Sequence, residues 1–382
     1  MSIQLADDLL PSNPYPIPAA ARVAVLPGPF RMAAGGVLPR LEVAFETWGQ
    51  LSPAKDNVIL LFTGLSPNSH VCSSDEDPTP GWWEFMVGPG KPIDTERYYV
   101  ICVNSLGSCF GSTGPASIDP RSGQPYRLNF PQLSIEDIAK MGHELMVAQG
   151  IERLHTVMGT SLGGMVALSY AVQYPHHCRH FATISSAAKA CAYAISLRSL
   201  QREIVRSDPA WQNGQYAFDA GPRDGMRLAR KLGLISYRSA EEFQHRFGRE
   251  RVAEEPENPH FSAVFEVESY LENNARKFVG HFDANSYLYL SRAMDLFDLS
   301  ERWGSMVNAF DRIEVKNSLV IGVSTDRLYP LQQQQDIADC LVRSGHDVSF
   351  HALDSIQGHD AFLVDKEQFA PIVGEFFSKI AR

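Results

Sequence analysis

The stretch Leu154-His-Thr-Val-Met-Gly-Thr-Ser-Leu-Gly-Gly164 decides the fold that this sequence predicts. Its first five residues form an apolar run that predicts a buried strand, and residues 165–174 predict a helix. Between them lies Gly159-Thr-Ser161-Leu-Gly163, and a strand, a sharp Gly-x-Ser-x-Gly turn and a helix make a nucleophile elbow. The glycines leave space where a Cβ would be crowded, and the strained serine backbone presents its hydroxyl. The stretch therefore predicts serine-based acyl chemistry at Ser161.

The composition describes an ordinary globular protein without membrane spans. The chain has 382 residues, of which 44% are hydrophobic and 20% charged, enough for one large domain with an insertion or for two domains. It contains no apolar run of about 18 residues, and its N-terminus lacks a basic stretch before an apolar core, so we expect neither a transmembrane helix nor a signal peptide. The net charge of −10 argues against non-specific nucleic-acid binding.

Six cysteines bear on the compartment and on metals. They form no Cys-x-x-Cys pair and no cluster with histidines at metal-ligand spacing, and they stand at positions 72, 102, 109, 178, 191 and 340. In a chain of this length, such cysteines are typical of reduced and mostly buried thiols. We therefore expect a cytoplasmic protein without a bound metal.

Short apolar runs bounded by turn residues recur along the chain and indicate strands buried on both faces of a parallel sheet. They lie at 58–62, 98–103, 154–158, 180–185 and 318–323. Helical patterns lie between some of them, for example at 135–149 and 164–174. Strands that alternate with helices predict an α/β domain with a mainly parallel sheet.

The segment from about 190 to 310 has a different character. It is richer in charge, contains helix-like stretches at 225–232 and 239–247, and is interrupted by a polar stretch at 254–260. Because it lacks clear strand runs, we interpret it as a helical insertion that covers the active-site edge of the sheet. The predicted domains are a first core part at 1–190, a helical lid insertion at 191–310 and a second core part at 311–382.

A serine nucleophile needs a base, usually a histidine held by a carboxylate. After an elbow of this kind the chain order is Ser, then Asp or Glu, then His. Asp326 follows the run 318–323 where a loop begins, although a surface or helix-capping role is the alternative. Among twelve histidines, His359 stands in a Gly-His-Asp loop before the last predicted helix, where such a base belongs. We therefore predict the triad Ser161, Asp326 and His359.

An oxyanion hole requires two backbone N–H groups aimed at the developing negative charge. One is expected from the residue after the nucleophile, Leu162, and the other from the loop after an early strand, in Leu61-Phe-Thr-Gly64. We predict Leu162 and Phe62 as the two donors.

Several further motifs occur in order along the chain: Gly81-Trp-Trp, Gly88-Pro-Gly-Lys-Pro-Ile-Asp94, Asn104-Ser-Leu-Gly107, Gly111-Ser-Thr-Gly114, Phe282-Asp-Ala-Asn285, Arg292-Ala-Met-Asp295 and Gly358-His-Asp360. Together with the elbow, they resemble the homoserine O-acetyltransferases and serine O-succinyltransferases of the α/β-hydrolase fold. The resemblance runs from about residue 41 to the C-terminus. It implies an α/β-hydrolase fold with an inserted helical lid, and an enzyme that is commonly a homodimer.

The resemblance also implies a two-step reaction with an acyl-CoA co-substrate, succinyl-CoA or acetyl-CoA, and no bound cofactor. Ser161 would accept the acyl group and release CoA, and His359 would then deprotonate the hydroxyl of L-serine or L-homoserine. Arg230 would pair with the carboxylate of the amino acid and Asp360 with its ammonium group. Without the resemblance, Arg230 would be an exposed arginine and Asp360 a helix cap.

The sequence departs from the acetyltransferase pattern and lies closer to the serine O-succinyltransferases. The supporting segments are Gly64-Leu-Ser-Pro67, Asn104-Ser-Leu-Gly-Ser-Cys109, Gln124-Pro-Tyr-Arg127 and Ser199-Leu-Gln-Arg202. Arg198 stands where the acetyltransferases usually have a neutral residue. A succinyl group ends in a carboxylate whose unpaired burial would cost several kcal/mol, so we expect Arg198 to set the acyl specificity. Arg202 is the competing candidate.

Three alternative functions share some of these sequence features. The first is a homoserine O-acetyltransferase or O-succinyltransferase in methionine synthesis, rather than a serine O-succinyltransferase in cysteine synthesis. The second is an ester or thioester hydrolase, in which water takes the acyl group. The third is a binding protein that has lost its catalysis, which the intact set of catalytic residues opposes.

Overall fold

The computed structural model describes residues 4–5, 13–253 and 260–380 of the chain. Its strands, in chain order, are β1 (Gln4–Leu5), β2 (Arg22–Leu26), β3 (Phe30–Arg31), β4 (Val37–Leu38), β5 (Leu41–Trp48), β6 (Val58–Phe62), β7 (Val87–Gly88), β8 (Ile93–Asp94), β9 (Tyr99–Val103), β10 (Ile118–Asp119), β11 (Gln124–Pro125), β12 (Leu154–Thr160), β13 (Cys178–Ile184), β14 (Asn317–Val323) and β15 (Asp347–Leu353).

Twelve α-helices occur in the described part of the chain. They are α1 (Ile135–Ala148), α2 (Leu162–Gln173), α3 (Ala192–Ser207), α4 (Arg223–Tyr237), α5 (Ala240–Phe247), α6 (Glu266–Phe278), α7 (Ala284–Asp295), α8 (Leu299–Trp303), α9 (Met306–Phe310), α10 (Leu331–Arg343), α11 (Ala361–Val364) and α12 (Lys366–Lys379). Four 3-10 helices lie at Arg127–Asn129, Pro175–His177, Pro209–Gly214 and Gly358–Asp360.

One nine-stranded sheet organises the molecule, in the order β1-β2-β5-β9-β6-β12-β13-β14-β15. The six strands from β9 to β15 in this order pair in parallel, whereas β1, β2 and β5 add an antiparallel edge. The prediction of an α/β fold with a mainly parallel sheet is therefore confirmed. The predicted strands and helices shift by a few residues at most at their ends, but the antiparallel edge was not predicted.

The central strands are buried because helices cover both faces of the sheet. Successive residues of β6 point to opposite faces. Leu60 and Phe62 belong to the apolar cluster that includes α1 and α2, while Ile59 and Leu61 belong to the cluster that includes α12. This double burial explains why β6 reads as one continuous apolar run, Val58-Ile-Leu-Leu-Phe62.

Between β13 and β14 the chain forms α3 to α9, and residues 192–310 are called the helical segment below. Its described residues form no strand, only the isolated bridge Arg251–Phe265 and one half of the bridge Lys189–Asp298. Most of the predicted polar stretch, residues 254–259, lies outside the described residues. The domain boundaries at 190 and 310 stay a prediction. Across the described chain, every helix is too short or too polar to span a bilayer.

Candidate active site

The elbow brings Ser161 to the end of β12, at the start of α2. Its backbone has φ 55° and ψ −121°, a strained conformation for a residue with a Cβ. The glycines on either side of Ser161 cannot be replaced without strain, because neighbouring backbone atoms occupy the space that a Cβ would need. A Cβ on Gly159 would lie 2.1 Å from the carbonyl oxygen of Gly163, and one on Gly163 would lie 2.1 Å from that of Phe62. These close approaches fix the serine hydroxyl above the sheet.

The structure brings the three predicted triad side chains together. His359 Nε2 lies 2.9 Å from Ser161 Oγ, and His359 Nδ1 lies 2.7 Å from Asp326 Oδ2. Asp326 Oδ1 accepts hydrogen bonds from the backbone N–H groups of Leu328 and Tyr329, both at 2.9 Å. Since a carboxylate only accepts, Nδ1 carries the proton and Nε2 is left to accept from the serine hydroxyl. This arrangement can remove a proton from Ser161 as the oxygen attacks.

The surroundings of His359 stabilise its protonated form relative to a histidine in water. Burial of the ring works to lower the pKa of His359, but the adjacent carboxylate of Asp326 outweighs it and the pKa is raised. All three side chains are buried, so the attraction between imidazolium and carboxylate is weakly screened. The same attraction stabilises the imidazolium that forms during proton transfer.

The two predicted oxyanion donors lie in different surroundings. Leu162 is the first residue of α2, and a residue there has no partner for its N–H within the helix. Phe62 is the last residue of β6, fully buried, and the cavity beside Ser161 is lined instead by Gly64 and Leu65 of the following loop. The donor roles of Leu162 and Phe62 both stay predictions, and Gly64 and Leu65 line the cavity beside Ser161 whereas Phe62 does not.

A cavity of about 120 Å³ opens beside Ser161. Both the core and the helical segment contribute to its lining: Gly64, Leu65, Ser66, Pro67, Trp82, Thr160, Leu328, His359, Asp360, Phe362 and Leu363 from the core, with Arg198, Gln201, Arg230, Tyr237, Tyr287, Ser291 and Met294 from the helical segment. Three of the predicted specificity residues, Arg198, Arg230 and Asp360, therefore share one space with the nucleophile.

Arg198 is only 5% exposed, and its guanidinium is incompletely paired. Its Nε donates to Asp295 Oδ1 at 2.6 Å, whereas the buried Nη1 and Nη2 have no hydrogen-bond partner among the described residues. Arg202, the competing candidate, forms an ion pair with Asp295 Oδ2 at 2.7 Å and donates a hydrogen bond to Ser291 Oγ at 2.9 Å. It lines a separate groove rather than this cavity. An unpaired buried guanidinium calls for an anionic ligand.

Arg230 and Asp360 line the cavity from two different elements, α4 and the 3-10 helix Gly358–Asp360. The guanidinium of Arg230, on α4, lies 4.7 Å from the ring centre of Phe278, and its buried Nε has no hydrogen-bond partner in the described chain. Asp360 Oδ2 lies 3.2 Å from Nε of Arg238, a partner that sequence reasoning missed. Burial raises the pKa of Asp360, although Arg238 opposes the shift.

The loop that carries His359 is pressed against the end of α4. Gly358 has φ 68°, and a Cβ there would lie 2.7 Å from the carbonyl oxygen of Tyr237. Ser239 Oγ donates to the carbonyl oxygen of Ile356, and Arg238 Nη1 donates to Gln357 Oε1 at 3.2 Å. The helical segment therefore touches the catalytic loop directly.

A buried ion pair that sequence reasoning missed anchors the loop after β6. His70 Nδ1 lies 2.8 Å from Glu46 Oε2 on β5, and His70 Nε2 lies 2.7 Å from the carbonyl oxygen of Thr79. Burial works to lower the pKa of His70, but the carbonyl of Thr79 and the carboxylate of Glu46 raise it overall. The only signal in the sequence was a histidine shortly after the predicted oxyanion strand.

Comparison with known proteins places this geometry in context. The family model described as alpha/beta hydrolase fold matches residues 57–365. The chain is 59% identical over 365 residues to a serine O-succinyltransferase of Litchfieldella anticariensis, covering 95% of this chain and 99% of the relative. It is 53% identical over 370 residues to an L-serine/homoserine O-acetyltransferase of Streptomyces lavendulae, covering 96% and 99%.

Solved structures agree with the fold and differ in activity. Homoserine O-acetyltransferase from Bacillus anthracis superposes with a TM-score of 0.85 at 29% identity, covering 93% of this chain and 97% of that one. Esterase E22 superposes with a TM-score of 0.84 at 28% identity, covering 93% and 99%. One backbone thus serves both acyl transfer and ester hydrolysis, and the site residues must distinguish them.

Proposed function

The chain belongs to the alpha/beta hydrolase family, and within it to the homoserine O-acetyltransferases and serine O-succinyltransferases, and from that premise we propose its substrates. It is an O-acyltransferase. The proposed reaction transfers a succinyl group from succinyl-CoA to L-serine, giving O-succinyl-L-serine and CoA in cysteine synthesis. The observation that carries the choice of acyl group is the buried, half-paired guanidinium of Arg198 in the cavity of Ser161.

In the first step, His359 Nε2 takes the proton of Ser161 Oγ while this oxygen attacks the thioester carbonyl. The negative charge moves to the carbonyl oxygen, which the N–H groups of Leu162 and of Phe62 or its following loop would stabilise. The carbon–sulfur bond then breaks, the imidazolium of His359 returns the proton to the sulfur, and CoA leaves. Ser161 now carries the succinyl ester, and Asp326 has held the ring of His359 throughout.

In the second step, His359 takes the proton of the acceptor hydroxyl, which attacks the succinyl ester. The bond to Ser161 Oγ breaks, and His359 returns the proton to Oγ. Arg230 suits the acceptor carboxylate because a guanidinium can bind it through two hydrogen bonds. Asp360 suits the acceptor ammonium, and its neighbour Arg238 would hold it in place.

Arg198 suits the distal carboxylate of the succinyl group. Burying an unpaired carboxylate costs several kcal/mol, and so does burying an unpaired guanidinium. The two costs offset each other when the groups meet. An acetyl group lacks this carboxylate and would leave Nη1 and Nη2 of Arg198 unpaired, so the site favours succinyl-CoA. Arg202 is a weaker candidate because its Nη1 already binds Asp295 and Ser291.

A donor and acceptor matrix tests the reaction. CoA release is measured with succinyl-CoA or acetyl-CoA, each with L-serine, L-homoserine or no acceptor. We expect the highest kcat/KM for succinyl-CoA with L-serine, and little release without acceptor. A preference for acetyl-CoA with homoserine would instead favour the homoserine O-acetyltransferase function.

Hydrolysis is the second candidate, favoured by the similarity to esterase E22. Water would then take the acyl group from Ser161, and CoA release would proceed at a comparable rate without any amino acid. Mass spectrometry of the enzyme after mixing with succinyl-CoA alone separates the two functions. A transferase accumulates a succinyl adduct on Ser161 that L-serine discharges, whereas a hydrolase loses the adduct in water.

Variants of α3 test the acyl assignment. Arg198→Ala should reduce the ratio of kcat/KM for succinyl-CoA to that for acetyl-CoA by about tenfold or more, since one charge-assisted pair is lost. The matched control is Arg206→Ala, which removes an exposed arginine two turns further along the same helix. An unchanged ratio in Arg198→Ala would remove Arg198 from the acyl site.

We further propose a cytoplasmic homodimer. All six cysteines are unpaired, and five of them are buried, which suits a reducing compartment. Light scattering of the purified protein tests the dimer, with a monomeric mass as the contradicting result.

A further inference from the structure

The carboxylate of Asp295 lies between two arginines of α3. Asp295 ends α7, and its side chain is only 2% exposed. Arg198 and Arg202 stand one helical turn apart, where like charges repel each other. Oδ1 accepts a hydrogen bond from Nε of Arg198 at 2.6 Å, and Oδ2 forms an ion pair with Nη1 of Arg202 at 2.7 Å but has no hydrogen-bond partner among the described residues. The carboxylate is thus shared rather than given to one guanidinium.

This sharing decides which edge of Arg198 stays free. A guanidinium can bind a carboxylate side-on, through Nε and one Nη, or end-on, through Nη1 and Nη2. Because one oxygen of Asp295 serves Arg202, only the other reaches Arg198, and it takes Nε alone. Nη1 and Nη2 are left together, buried and without partners among the residues that the structure describes.

The charges of the three groups do not cancel. Arginine stays protonated in proteins, so two guanidinium groups and one carboxylate leave one positive charge. All three side chains are buried or nearly so: the exposed fractions of the side chains alone are 6% for Arg198, 12% for Arg202 and 2% for Asp295. Such a cluster is expensive unless one further negative charge joins it. One carboxylate of an acyl donor supplies that charge.

We propose that Asp295 is a positioning residue for the acyl donor: it turns Arg198 so that its Nη1 and Nη2 edge faces the cavity, and Arg202 prevents the carboxylate from covering that edge. This inference rests on the proposed function. Asp295 does not touch the donor itself and acts through Arg198. The donors that it selects are acyl-CoA molecules whose acyl group ends in a carboxylate.

The test compares Asp295→Ala with Asp295→Asn, using succinyl-CoA and acetyl-CoA as donors and L-serine as acceptor. Asp295→Ala frees Arg198 to turn, and we expect KM for succinyl-CoA to rise about tenfold while kcat/KM for acetyl-CoA stays within about twofold. Asp295→Asn keeps an amide oxygen that accepts from Nε, and it should restore most of the succinyl preference. The matched control is Asp224→Ala, which removes an exposed carboxylate from α4.

A second variant, Arg202→Met, tests the same inference if Asp295→Ala fails to fold. In Arg202→Met the carboxylate of Asp295 is released from its second partner and can bind Arg198 side-on, which covers one Nη. We expect KM for succinyl-CoA to rise in this variant too, with acetyl-CoA unaffected. Thermal unfolding of each variant monitors the fold independently of activity.

Three results would overturn the inference. If Asp295→Ala or Arg202→Met lowers the activity with both donors by the same factor, the carboxylate supports only the fold. If Arg198→Ala changes the donor ratio but neither variant does, Arg198 needs no positioning and the proposed function stands without Asp295. If Arg198→Ala leaves the ratio unchanged, the acyl assignment itself fails, and the inference fails with it.

Discussion

The catalytic loops of the core and the helical segment meet at one cavity, but they differ in how well their polar groups are paired. In the core, Ser161, His359 and Asp326 satisfy one another and the backbone. In the helical segment, Arg198 keeps two buried nitrogens and Arg230 one without a hydrogen-bond partner among the described residues. The proposed reacting groups are therefore fully paired in the empty site, whereas the proposed binding groups Arg198 and Arg230 are not.

The difference has a physical reason. Groups that transfer protons must be held within hydrogen-bond reach before the reaction, because reorganisation during the reaction raises the barrier. Groups that select a substrate contribute most when their own pairing in the empty site is poor, since the ligand then relieves a cost already present. Under the proposed function, the helical segment therefore gives up some stability for selectivity.

The variant with the largest expected effect removes the nucleophile. Ser161→Ala should reduce kcat for CoA release by about 10⁴-fold or more, because binding survives but no acyl-enzyme forms. The measurement is CoA release together with a search for the succinyl adduct. The control is Ser196→Ala, an exposed hydroxyl on α3. Substantial residual turnover would mean that direct transfer between the substrates competes with the two-step route.

The next test weakens the pairing inside the core. Asp326→Asn should lower kcat/KM by roughly 10³- to 10⁴-fold, because the ring of His359 loses its orientation and charge support. The carboxylate raises the pKa of His359, so its removal lowers that pKa. Since only neutral His359 can act as base, the ascending limb of the pH profile should move to lower pH. An unmoved limb would show that another group titrates there.

A third test disturbs the backbone packing of the elbow and leaves the triad side chains unchanged. Gly159→Ala brings a Cβ within 2.1 Å of the Gly163 backbone, so β12 or α2 must shift. We expect the free energy of unfolding to fall by about 3 kcal/mol, measured by urea denaturation. Gly123→Ala is a control for backbone effects, since a Cβ there meets no atom within 4 Å although φ is 69°. Equal losses in both variants would show that packing at the elbow is not the cause.

The smallest expected effect is on stability, in a variant of the helical segment. Arg198→Met should change the free energy of unfolding by less than about 1 kcal/mol, because Asp295 keeps Arg202 as a partner and two unpaired nitrogens are removed. Urea denaturation measures the free energy of unfolding, and the ratio of kcat/KM for the two acyl donors measures the loss of succinyl preference. A loss of 3 kcal/mol or more would mean that Arg198 stabilises the empty protein, and the contrast between the two regions would disappear.

The parts that the sequence predicted are those set by local pattern or chain order. The elbow follows from glycines at fixed spacing around Ser161, and Asp326 and His359 follow from their order after it. The strand β5 was missed because Glu42 and Glu46 interrupt its apolar pattern. Both glutamates are buried, and Glu46 is paired with Ser69 and His70.

The missed contacts join residues that lie far apart in the chain. Asp295 meets Arg198 across 97 positions, and Gln357 meets Arg238 across 119. No local pattern reports such a pairing, because it depends on how helices of the helical segment pack over the loops of the core. The sequence therefore named Arg198 and Arg230 as candidates, but not which of their nitrogens lack hydrogen-bond partners among the described residues.

The contact of Gly358 with the end of α4 limits how this fold can be re-engineered. At Gly358 the backbone of the catalytic loop lies directly against the backbone of residues 237–239, so no side chain at this position can absorb a mismatch. A helical segment transplanted from a relative would bring a new surface against that backbone and shift His359 relative to Ser161. Exchange of donor specificity is therefore better attempted by point substitutions within α3 and α7 than by grafting the segment whole.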